Sequence, residues 1–152
     1  MLRTKSWMLG LLLITFTGPV AHAVDVLDYV EGEREASVVV ADTLWDLAEL
    51  GYLEEKSSKT LQNYLAEREF IIESSVADIP TAFVARYGSG GPTIALLAEF
   101  DALPGLNQAA VPERLVEKQG ASGHACGHHL FGAASVAAVS YTHLRAHETD
   151  LN

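Results

Sequence analysis

The chain has little cysteine and little positive charge. One cysteine, Cys126, stands among 152 residues, so no disulfide forms within the chain. Lysine and arginine together number 10 against 20 acidic residues, a formal net charge of −10. That balance argues against nucleic acid as a partner, because affinity there rests on basic side chains that neutralise phosphates. It argues equally against docking on an anionic membrane surface. The apolar run over residues 7–16 is shorter than the ~20 residues of a membrane-spanning helix. No internal repeat and no low-complexity tract is present.

What is there begins with a targeting pattern. Arg3 and Lys5 precede the apolar run, and Ala21-His22-Ala23 follows it as a small-x-small site. Together they read as an export signal over residues 1–23, cut before Val24. The mature protein is then expected in a periplasm or outside the cell, without stable membrane insertion. An uncleaved membrane anchor is the alternative. Removal of the signal leaves roughly 130 residues, one domain of ordinary size. It also takes the net charge from −10 to −12, because Arg3 and Lys5 are the only charged residues lost.

The interior alternates in period. Apolar residues at Val38, Val39, Ala41, Leu44, Trp45, Leu47 and Ala48 predict a helix over 33–50, ended by Gly51. A second helix is expected over 59–67, with Leu61, Tyr64 and Leu65 inward. Strands are expected over 70–74, 79–87 and 94–100, the last two joined by the turn Gly88-Ser89-Gly90-Gly91-Pro92. Residues 108–122 are polar and irregular; a loop of that length either serves a site or is a tolerated surface insertion. A small-residue helix follows over 129–139. This order predicts an α/β domain, a mixed sheet flanked by helices. Residues 140–152 break in character and read as a non-native tail. In that tail His143 and His147 are four apart and would share a helix face and a metal. They do not form His-Glu-x-x-His, because Glu148 follows the second histidine.

The chemistry concentrates in two places. Leu96-Leu97-Ala98-Glu99-Phe100-Asp101 is an apolar run ending in two carboxylates two residues apart, so both project to one side of an extended segment. Downstream, Gly123-His124-Ala125-Cys126-Gly127-His128-His129 holds the lone cysteine and three of six histidines. Thiolate and imidazole are zinc-type ligands. A lone thiol in an exported protein is a liability unless it is protected or used, and metal coordination does both. A buried inert cysteine is the bland alternative. The acid pair with this Cys/His loop reads as a metal centre.

These residues carry a family resemblance. Asp101-Ala102-Leu103-Pro104-Gly105, followed at this distance by Gly-His-Ala-Cys-Gly-His, resembles the amidohydrolase branch of the aminoacylase/carboxypeptidase superfamily of two-zinc peptidases. The nearest subgroup is the aminobenzoyl-glutamate utilisation type. The likeness also takes in Ile79-Pro80-Thr81-Ala82-Phe83-Val84-Ala85 and runs from residue 30 to residue 139.

The resemblance implies that residues 24–139 are the N-terminal part of a zinc-peptidase catalytic domain. Cys126 and His128 are the implied metal ligands, and Asp101 the catalytic carboxylate that orients a ligating imidazole. Glu99 falls where other branches carry a ligating histidine; it is either a ligand or only a neighbour. His124 is either a ligand or a hydrogen-bonded structural histidine, and His129 stands where many relatives have Asp or Asn. Two divalent ions are implied, zinc foremost, with manganese or cobalt as alternatives. The implied substrate is a small amide or peptide, and the implied assembly of the full-length parent is a homodimer. A glutamate pair carrying the general base, a distal histidine and further strands would follow Val139, so the chain alone is expected to be inactive and poorly folded. Two classes compete: a metal-dependent amide hydrolase, and a non-catalytic exported metal-binding protein.

Overall fold

The structure, a computed structural model, describes residues 26–149. The expected export signal over 1–23 and the last three residues of the expected tail lie outside the described residues, as do the side chains of His143 and His147. Among the described residues no helix is long and apolar enough to cross a membrane.

Among the described residues, four α-helices and one small sheet make the fold. Helix α1 covers Val26–Gly32, α2 Arg34–Leu47, α3 Glu55–Ala66 and α4 His128–Thr149. Strand β1, Ile71–Ser74, pairs antiparallel with β2, Phe83–Arg86, in the register Ile71–Arg86 to Ser74–Phe83. A 3-10 turn over Val76–Asp78 lies between them. The turn closes through Val76 N–H to the Ala82 carbonyl and Ala82 N–H to the Ile79 carbonyl, so β2 starts later than residue 79.

The core follows from helical spacing. Val40 and Leu44 on α2, and Leu61, Tyr64 and Leu65 on α3, recur three and four apart and turn inward with Phe70, Ala133 and Val136. Leu44 and Leu61 are completely buried. Helix α4 approaches this core at Gly132, where a Cβ would lie 3.3 Å from Leu44 Cδ2 and 3.3 Å from Phe100 Cβ. Glu33, between α1 and α2, joins them to α3. Its carboxylate accepts from the Tyr64 hydroxyl at 2.6 Å and from Arg68 at 2.6 Å, and the Arg68 guanidinium lies 3.6 Å above the Tyr64 ring. Burial, with the bond to Glu33, pushes the Tyr64 hydroxyl pKa well above its ordinary value.

Three boundaries depart from the sequence expectation. Helix α2 ends at Leu47, with Ala48 left-handed, so Gly51 is not its terminal residue. Residues 49 and 50 are drawn off elsewhere: the Glu49 carbonyl accepts from Ala102 N–H at 2.7 Å, and Leu50 bridges Ala102 in parallel. Helix α3 starts at Glu55 rather than 59, because the Glu49 carboxylate accepts from Ser57 N–H at 2.8 Å and Lys56 N–H at 3.2 Å. Helix α4 runs on past 139, since nothing in Ser140-Tyr141-Thr142 stops a helix; Tyr141 packs on Tyr29 with centroids 5.1 Å apart.

The expected mixed sheet is smaller than predicted. The described residues hold a two-stranded antiparallel sheet, and their regular structure is mostly helical. Residues 94–100 join no ladder. A strand is defined by a neighbour, and none is present among the described residues: Ile94 and Leu97 stay about four-fifths exposed, at 82% and 79%.

Candidate metal centre

Backbone hydrogen bonds place the two motifs. Ala102 N–H reaches the Glu49 carbonyl at 2.7 Å, which anchors the acid segment to the end of α2. Leu103 and Gly123 exchange hydrogen bonds of 3.0 Å in both directions, an isolated antiparallel bridge. A Cβ on Gly123 would sit 2.1 Å from the Leu106 carbonyl oxygen, so only glycine permits this approach. Gly127, at φ +77°, then turns the chain: its N–H donates to the His124 carbonyl, and its own carbonyl accepts from Leu130 and Phe131 to start α4. His128 is thereby the first residue of α4 and faces the acid pair.

The geometry centres on the His128 ring. Nδ1 lies 2.7 Å from Asp101 Oδ1, and Nε2 lies 3.0 Å from Glu99 Oε2. One ligand atom from each of Glu99, Asp101 and His128 falls within 4.8 Å of the others. The His128 side chain is 22% exposed and that of Glu99 57%, so the site is open on the Glu99 side. Glu99 and Asp101 also line a shallow cleft of about 360 Å³ whose other walls include Tyr52, Thr81 and Phe83.

This donor set suits a divalent cation. An ionised carboxylate only accepts, so each ring nitrogen facing one needs a proton or a shared cation. A neutral imidazole carries one N–H and satisfies one carboxylate. A doubly protonated ring would donate to both carboxylates; with a neutral ring, an ion held by the second nitrogen and the other carboxylate would satisfy the rest. Carboxylate and imidazole together fit zinc or manganese.

Of the residues singled out in the sequence, Asp101 and His128 meet directly. Cys126 is exposed and stands outside the three-residue group. Glu99, between the readings of ligand and neighbour, is in contact with His128. His124 is buried at 4% exposure, and its Nε2 donates to the Leu44 carbonyl at 2.8 Å. Burial holds the His124 ring below its ordinary pKa, only partly offset by that bond. The His129 ring lies edge-on to Trp45 and 5.0 Å from the His124 ring, and burial lowers its pKa as well.

The long loop has its own internal support. Asn107 Oδ1 accepts from the N–H groups of Glu117 and Lys118, and Gln108 bridges Leu115 N–H and the Glu113 carbonyl. With Trp45 and His129 it walls a second cleft of about 620 Å³, which includes none of Glu99, Asp101 and His128.

Over 113 residues the chain is 40% identical to one of the subunits of the p-aminobenzoyl-glutamate hydrolase of Escherichia coli, a match that takes in 74% of this chain and 24% of that protein. Over 100 residues it is 33% identical to the putative amidohydrolase YhaA of Bacillus subtilis, covering 66% of this chain and 25% of that protein. The chain is thus partially homologous to amidohydrolases, and it spans about a quarter of the length of these relatives. No protein-family model matches it.

Proposed function

We propose that this chain is the N-terminal part of the catalytic domain of a metal-dependent amidohydrolase that cleaves an amide bond to an amino acid, of the aminobenzoyl-glutamate or N-acyl amino acid type. The observation that carries the reading is His128, gripped at both nitrogens by Asp101 and Glu99. The names of the two relatives agree with it.

In this reading His128 Nε2 and the Glu99 carboxylate hold an ion, and Cys126 is the proposed second-motif ligand. Zinc is the first candidate, with two ions in the complete site and manganese or cobalt as alternatives. A bound ion of this kind supplies hydroxide near neutral pH and polarises the scissile carbonyl. Asp101 holds the His128 ring through Nδ1, which fixes the tautomer and aims Nε2. The general base and further ligands are proposed to lie outside residues 24–139, and the full-length parent to be a homodimer. Export is part of the proposal: the product recovered from an exporting host should begin at Val24, and retention of Met1 would refute it.

The test uses protein carrying the remaining length of its relatives, loaded with zinc. It should release aminobenzoate from aminobenzoyl-glutamate in a chelator-sensitive manner, and His128→Ala should abolish that turnover. Zinc retained without turnover on this substrate or on simple N-acyl amino acids would favour the second reading, a non-catalytic exported metal-binding protein.

A further inference from the structure

We infer that His124 is a positioning residue: its ring ties the Gly123–His128 loop to the end of α2 and so sets where His128 meets Asp101 and Glu99. His124 is 4% exposed, and its Nε2 lies 2.8 Å from the Leu44 carbonyl, 80 residues away in sequence. A carbonyl only accepts, so Nε2 carries the proton. The same carbonyl accepts Ala48 N–H at 3.0 Å where the helix leaves α geometry, so the tie sits at a fixed corner of the fold.

The tie is transmitted by short steps. Gly127 N–H donates to the His124 carbonyl at 3.0 Å, and His128 follows Gly127 directly. Ser122 Oγ donates to the Ala48 carbonyl, and the His129 ring packs against His124 at 5.0 Å. The end of α2 thus holds both motifs: Glu49 holds the acid segment through Ala102, and Leu44 holds the histidine loop through His124. His124 Nδ1 is buried as well, and Nε2 makes the bond to Leu44.

Three variants of the full chain separate this role from others. His124→Gln keeps an N–H near the Nε2 position, His124→Asn keeps a polar group but not that reach, and His124→Phe keeps ring volume alone. The metal-free readout is the His128 ring N–H bonded to Asp101, observed as a downfield proton in NMR, with Leu61 and Val136 resonances as a check on the core. The proton should persist in the wild-type chain and in Gln, and vanish in Asn and Phe while the core resonances remain. Should Phe lose the core, the Gln and Asn pair decides. An unchanged proton in Asn and Phe, its loss in Gln, or its absence from the wild-type chain would overturn the inference.

The metal arm rests on the proposed function; the proton arm does not. Zinc affinity should fall roughly 10–100-fold in Asn and Phe and stay within about 3-fold of wild type in Gln. Equal loss of zinc in all three variants with the His128 proton intact would make His124 a ligand and refute the positioning role. A wild-type chain that takes up no zinc yet shows the expected proton pattern would remove the metal reading and leave the positioning role standing.

Discussion

Glu99 and Asp101 hold opposite nitrogens of one imidazole, although a single residue separates them. Asp101 is the less exposed carboxylate, 34% against 57%, and makes the shorter contact. Under the proposed function that asymmetry suits Asp101 to orientation and leaves Glu99, with Nε2, on the more exposed side. Asp101→Asn should therefore weaken zinc binding roughly 10–100-fold without abolishing it, as read by competition with a chromophoric chelator. Complete loss would make Asp101 a ligand; unchanged affinity would make it only a turn residue. The pairing of the acids was legible from their period-two spacing. Their common partner came from the family resemblance and not from spacing, because His128 lies 27 residues beyond Asp101 and reaches it through the Leu103–Gly123 bridge and the Gly127 turn. Nor does any local signal near His124 announce a carbonyl 80 residues upstream.

Element boundaries moved where a distant group satisfied a helix end. Helix α3 has no side-chain cap from the adjoining Glu54; Glu49 supplies the acceptor, taking Ser57 N–H, Ser57 Oγ–H and Lys56 N–H. A negative group at a helix N-terminus also meets the favourable end of the helix dipole. Glu49→Ala should cost about 1–2 kcal/mol, measured by urea denaturation. A change within experimental error would mean that solvent replaces the cap. The inward faces of α2 and α3 could be read directly from Leu44, Leu61, Tyr64 and Leu65, since helical burial leaves a period in the sequence. Residues 94–100 could not be placed this way. Their apolar run marks a buried strand, but a ladder needs a neighbour, and Ile94 and Leu97 have none among the described residues.

At the scale of the whole molecule, the helices, one hairpin and an open carboxylate–imidazole site form a unit that matches about a quarter of its relatives' length. Two of its histidines tie stability to pH. Burial depresses the His124 and His129 pKa values below the ordinary 6.5, so between the depressed and ordinary values the unfolded chain binds more protons than the folded one. Their contribution is complete above about pH 6.5 and is lost as the pH falls toward the folded values. Urea midpoints should therefore drop between pH 7 and pH 5.5, and His124→Gln should flatten that slope. An identical slope in the variant would remove His124 from the account.

The central claim is that Glu99, Asp101 and His128 form a metal centre, and zinc retained per chain after exhaustive dialysis tests it most directly. Wild-type protein should keep bound zinc that a chelator removes, and His128→Ala should keep none while its Leu44–Leu61 core stays folded by circular dichroism. A wild-type chain that retains no zinc, or a His128→Ala chain that retains as much as wild type, would contradict the claim.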